Sequence, residues 1–123
     1  MLLSPNLSVL LLNGSVVTFL AIGQACVLLT GGIDLSVGSN IALTGVIAAI
    51  AMHAGAPWWA GALVAIVVGI AVGVFNGVMV HYGKLPPFIV TFATFGISAS
   101  IPNILTQAKS VTITEPLFAV FGR

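Results

Sequence analysis

Four long apolar blocks alternate along the chain with short segments rich in glycine, proline or polar residues; the blocks cover residues 7–30, 36–53, 58–82 and 88–105. A membrane-spanning helix needs about 20 mostly apolar residues, with a range of roughly 17–25, and all four blocks fit, the fourth marginally. They are too continuously apolar for the alternating pattern of barrel strands. The pattern predicts an all-α integral membrane protein of about four transmembrane helices, with an extramembrane segment at residues 106–123.

Local sequence accounts for the breaks between the blocks. Gly31 and Gly32 can adopt positive φ and are predicted to end the first helix. The segment "HAGAP", residues 53–57, is typical of a short turn. In "GKLPP", residues 83–87, two prolines lack the backbone donor, and each disfavours helix in the residue before it.

Composition supports a membrane location. The 123 residues are 59% hydrophobic and only 4% charged, whereas soluble domains carry about 25% charged residues. Trp58 and Trp59 are expected at one membrane interface, and His81 with Tyr82 at the other. The net charge of +1 comes from scattered basic residues, which excludes the clustered Lys and Arg of a nucleic-acid surface.

The sequence contains no recognisable catalytic or metal-binding arrangement. It has two acidic residues, two histidines and one cysteine, with no Ser-His-acid set and no metal-ligand spacing. A phosphate-binding G-x-x-x-x-G-K-[ST] motif is also missing, so this chain is not expected to hydrolyse ATP by that route. We therefore predict a protein that is not an enzyme and carries no metal or cofactor of its own.

The stretch "GGIDLSVGS", residues 31–39, contains the first charge of the chain, Asp34. Asp34 and Ser36 both suit the N-cap of the second helix, beside the positive end of its dipole. If the first helix is continuous, this turn lies at the membrane interface, which is the preferred interpretation. If "LLNGS", residues 11–15, interrupts that helix, Asp34 lies deeper, where an ionisable residue is costly and usually functional.

Five polar residues are candidates for a solute path: Asp34, Asn76, Thr91, Thr94 and Ser98. The alternative for Asn76 is a hydrogen bond to a neighbouring helix. For Thr91, Thr94 and Ser98, which recur at three- and four-residue spacing, the alternative is a hydrogen bond from the hydroxyl to a carbonyl one turn earlier.

Small residues recur every four positions in the third block, at Gly61, Ala65, Gly69, Gly73 and Gly77. Such a row allows close approach of another helix backbone. The spacing predicts one packing face along this helix.

Two stretches resemble a known family. They are "AIGQACVLLTGGIDLSVGS", residues 21–39, and "GVFNGVMVHYGKLPPFIVT", residues 73–91. Both are similar to the permease subunit of ribose/xylose-type bacterial ABC sugar importers. The resemblance implies an inner-membrane permease dimer that imports a monosaccharide such as ribose or xylose. It also implies two partners, a periplasmic sugar-binding protein and a cytoplasmic ATPase that binds ATP.

Members of that family are longer, so the chain is expected to be an N-terminal portion or a truncated form of such a permease. Two other hypotheses remain open. One is a small four-helix, proton-coupled secondary transporter, for which Asp34 is the candidate membrane carboxylate. The other is a truncated membrane subunit that only packs against other helices and transports nothing.

Overall fold

The computed structural model describes residues 3–112, with side chains from residue 6 onward. Four α-helices follow one another, and the described residues form no strand: α1 (Leu3–Leu29), α2 (Val37–His53), α3 (Trp58–His81) and α4 (Pro87–Thr106). The predicted all-α class is confirmed. Each helix begins and ends within four residues of the apolar block that predicted it.

Three of the helices are long and apolar enough to cross a membrane: Asn6–Leu29, Trp58–His81 and Pro87–Thr106. The remaining helix, α2, has 17 residues and is shorter than these three. The segment "LLNGS" does not interrupt α1, which has 27 residues. The predicted extramembrane segment is non-helical from residue 107 to residue 112, and its remainder lies outside the described residues.

Glycine ends α1 as the sequence predicts. Gly31 has a φ of 79°, and its N–H donates to the carbonyl of Leu28 over 2.9 Å. The N–H of Gly32 donates to the carbonyl of Val27 over 3.2 Å. This pair of hydrogen bonds is the Schellman arrangement, which satisfies the last carbonyls of the helix.

The described chain divides into two compact units, residues 3–32 and residues 33–112. The first unit is α1 with its C-terminal glycines. In the second unit, α2 packs against both α3 and α4. The connections at residues 54–57 and 82–86 are short, and α3 therefore runs antiparallel to the two helices beside it.

The buried apolar core of the second unit is small and belongs mainly to α2. Most large apolar side chains of the described residues are exposed instead. This distribution is normal where lipid surrounds the protein and helix packing replaces a water-excluding core. The buried apolar residues are Leu43, Ala48, Ala49, Met52 and Val90.

In the glycine row of α3, Gly61 and Gly69 face α2, whereas one packing face along the whole row stays a prediction. A Cβ atom on Gly61 would lie 2.9 Å from Cγ of Met52, and one on Gly69 would lie 3.7 Å from a side chain of α2. Cβ atoms on Gly73 and Gly77 would meet nothing within 4 Å. Because each four-residue step turns about 40° beyond a full circle, four steps carry the row about 160° around the helix.

We predict that Gly61→Val destabilises the second unit, whereas the matched Gly73→Val does not. The new side chain at Gly61 overlaps α2, and overpacking of this kind costs about 1–3 kcal/mol. The measurement is the midpoint of SDS-induced unfolding of the full chain in mixed micelles, followed by circular dichroism. Equal midpoints for the two variants would show that close approach at Gly61 is unimportant.

Candidate functional site

The connection between α1 and α2 is organised by the carboxylate of Asp34. The backbone N–H and the hydroxyl of Ser36 both donate to Oδ1 of Asp34, over 2.8 Å and 2.6 Å. Ser36 is the N-cap residue of α2, but no side chain makes a capping hydrogen bond there. Ser36 therefore occupies one of the two predicted N-cap positions, and the Asp34 carboxylate closes an Asx-type turn just before the helix.

A chain of hydrogen bonds continues from this turn through α3 to α4. The side-chain amide of Asn76 donates to Oγ of Ser36 over 3.1 Å. The hydroxyl of Thr94 donates to Oδ1 of Asn76 over 2.6 Å. We call Asp34, Ser36, Asn76 and Thr94 the polar cluster. Asp34 is half-buried, and the relative exposures of the other three are 0%, 7% and 5%.

The two other predicted path residues are also buried and also bond to the region of α2. The Thr91 hydroxyl lies 3.1 Å from the carbonyl oxygen of Ile33 and 2.8 Å from that of Pro87, one turn earlier. The Ser98 hydroxyl donates to Oδ1 of Asn40 over 3.3 Å. The structure thus brings all five predicted residues to the contacts among α2, α3 and α4.

Several of these contacts are the hydrogen bonds that the sequence analysis gave as alternatives to solute contact. Asn76 makes the interhelical hydrogen bonds that were the alternative to solute contact. Thr91 and Thr94 each lie within hydrogen-bond distance of the carbonyl one turn earlier. Ser98 bonds across to another helix instead. The polar atoms of these residues are therefore paired with protein groups.

The turn at Asp34 is recessed from the ends of α3 and α4. Asn76, which binds Ser36, precedes the end of α3 by five residues, or about 7.5 Å. Thr91, which binds Ile33, follows the start of α4 by four residues, or about 6 Å. The interfacial position of Asp34 stays a prediction, for which the unbroken α1 is the expected condition. The recessed turn also explains why α2, which begins at this level, is the shortest helix.

Sequence reasoning missed two residues on this face of α2. The Ser39 hydroxyl donates to the carbonyl of Ser36 over 2.9 Å, and Asn40 accepts from Ser98. Residues 36, 39 and 40 are three and four positions apart, so they share one helix face. Polar residues at this spacing on α2, matched by polar Thr94 and Ser98 on α4, are the sequence signal that would have identified Ser39 and Asn40.

The site is suited to hydrogen bonding and not to covalent chemistry. Among the described residues, no three His, Cys, Asp or Glu side chains converge where a metal ion would bind. The polar cluster contains one carboxylate, one amide and two hydroxyls, whose mutual hydrogen bonds join three helices. Together with the long apolar helices, this defines a multi-pass helical membrane protein.

Comparison with known proteins gives the family. The sequence profile of the family described as "branched-chain amino acid transport system / permease component" matches residues 6–118. The chain belongs to this family, which comprises transport permeases and not enzymes. Membership and the three long apolar helices indicate a multi-pass protein of the inner membrane.

Three similar curated proteins are named as permease proteins of transport systems. A probable ABC transporter permease protein of Sinorhizobium fredii is 41% identical over 105 residues, which are 85% of this chain and 31% of the relative. The D-allose transport system permease protein of Escherichia coli is 36% identical over 111 residues, 89% of this chain and 34% of the relative. An autoinducer 2 import system permease protein of Yersinia pestis is 36% identical over 97 residues, 79% of this chain and 28% of the relative.

The chain therefore spans about a third of the length of the curated relatives that it matches. No solved structure matches it. The resemblance to permease subunits of sugar ABC importers, drawn from residues 21–39 and 73–91, is confirmed at the level of the family.

We predict that Asn76→Leu destabilises the second unit by about 1–2 kcal/mol, because Ser36 and Thr94 lose a buried partner. The matched control is Asn103→Leu. Asn103 is exposed, and its amide donates only to the Ala99 carbonyl of its own helix. Unfolding of both variants is measured in mixed micelles, and a similar loss for the two would contradict a special role of Asn76.

Proposed function

We propose that the chain forms part of the transmembrane permease of an ATP-driven importer for a monosaccharide or a related solute. The observation that supports this most is the family match over residues 6–118. Two similar proteins are named for D-allose and for autoinducer 2. Within this solute class, ribose and xylose remain the candidates that the sequence resemblance suggests.

The proposal includes three partners. A cytoplasmic ATPase subunit would bind ATP, since this chain has no phosphate-binding lysine motif of its own. A periplasmic sugar-binding protein would deliver the solute, and a second permease copy would complete the translocation path. All three follow from the importer class.

In this proposal the five candidate residues act mainly by positioning helices. Their polar atoms are bonded to one another, to Ser36 and Asn40, or to backbone carbonyls. This pairing favours a role in fixing α2, α3 and α4 beside the path. The same geometry weighs against a proton-coupled carrier built on Asp34, because the Asp34 carboxylate accepts two hydrogen bonds that shape the turn.

A chimera tests the proposal. Residues 6–118 replace the matching segment of the D-allose permease of Escherichia coli, in cells that retain that system's ATPase and binding protein but lack its permease. We expect uptake of radiolabelled D-allose that disappears when the phosphate-binding lysine of the ATPase is replaced. A chimera that reaches the membrane in normal amounts without transporting would contradict the proposal, as would uptake that survives ATPase inactivation.

We predict that Asp34→Asn in this chimera retains most of the uptake, whereas Asp34→Leu loses it. An asparagine keeps the side-chain oxygen that accepts from Ser36, and leucine has no acceptor. Uptake and membrane abundance are measured together. If Asp34→Asn is abundant but inactive, the negative charge itself is required, as a proton-coupled carrier would demand.

A further inference from the structure

An open groove of about 660 Å³ lies between α2 and α4, at the end of the second unit away from the polar cluster. No residue of the polar cluster lines it. Its walls and its mouth come from different parts of the unit: Gly45 and Ala49 on α2, Pro102 and Thr106 on α4, and Lys109 and Ser110 beyond α4.

Small residues create the groove. A Cβ atom on Gly45 would meet nothing within 4 Å, so the α2 wall is open at this point. Pro102 on the opposite wall has no backbone N–H to donate to the turn before it, which disturbs regular helix packing. An open space of this size along membrane helices is filled by lipid or by protein.

The lining of the groove is apolar along α2 and includes polar residues beyond the end of α4. The α2 wall, from Ala42 to Ala49, contains only apolar residues and glycine. Ala42 and Ala49 are seven residues apart, so this apolar wall is about 10 Å long. That is about a third of the ~30 Å hydrocarbon core, which is enough for part of one acyl chain.

The mouth of the groove is polar and carries a cation. Lys109 and Ser110 line it just beyond the end of α4. Nε2 of His53 lies 2.7 Å from the carbonyl oxygen of Thr112, which ties this segment to the end of α2. Trp58 begins α3 at the same end of the unit, and tryptophan is enriched at the membrane interface, where lipid headgroups lie.

We propose that this groove binds an anionic phospholipid, with an acyl chain along α2 and its phosphate beside Lys109. The apolar α2 wall fits part of an acyl chain, and the cation at the mouth complements a phosphate-bearing headgroup. A free sugar is a poorer match, because specific solute sites place polar groups around the ligand. Here the polar lining residues lie on α4 or just beyond it, and the α2 wall has none. The proposal does not depend on which solute the permease carries.

The test compares lipid retention by the purified full chain in detergent, using native mass spectrometry. The probes are phosphatidylglycerol and phosphatidylcholine with identical acyl chains. We expect phosphatidylglycerol to be retained more strongly, and Lys109→Gln to weaken it roughly fivefold, as expected for one basic residue at a lipid surface. The matched Lys84→Gln, which removes a cation at the opposite end of the unit, should leave retention unchanged.

A second pair of variants tests the acyl-chain site. Gly45→Leu places a side chain in the groove, starting where a Cβ atom meets nothing within 4 Å, and should reduce retention of both lipids. Gly73→Leu, on an exposed face, should not. Equal retention of the two lipids by the unmodified chain would overturn the proposal, as would equal effects of Lys109→Gln and Lys84→Gln. Displacement of bound lipid by D-allose or D-ribose would assign the groove to the solute instead.

Discussion

The pairing of the Asn76 amide with Ser36 on one side and Thr94 on the other is the interaction on which the second unit depends. Lipid is as apolar as leucine, so apolar contact alone gives membrane helices little reason to associate. Hydrogen bonds between helices and close backbone approach supply the attraction. Here the amide of α3 bonds in one direction to the start of α2 and in the other to α4.

This interaction explains features that otherwise look separate. The Asp34 turn lies inside the ends of α3 and α4 because Ser36 must reach Asn76. The short α2 follows from that recessed start. At the other end of the unit, Gly61 admits α2 closely. Near that same end, α2 and α4 leave an open groove between them. One end is therefore joined by polar bonds, and the other by close packing at Gly61 beside an open groove.

The sequence predicted the elements better than their pairing. The lengths of the apolar blocks predicted all four helices. The glycine at position 31 predicted where α1 ends, and its φ is indeed positive. The partner of Asn76 was not predictable, because Ser36 is 40 residues away and their contact depends on the register between helices. The spacing of the row from Gly61 to Gly77 did not show which of its residues approach α2, because four-residue steps turn the row gradually around the helix.

The most direct test is a double-mutant cycle on Asn76→Ala and Thr94→Val, measured as unfolding free energies of the full chain in mixed micelles. Ser98→Ala replaces Thr94→Val in the control cycle, because Ser98 bonds to Asn40 and not to Asn76. We predict a coupling energy of at least about 0.5 kcal/mol for Asn76 with Thr94, with Asn76 and Ser98 nearly additive. Additive losses for Asn76 and Thr94 would contradict the account.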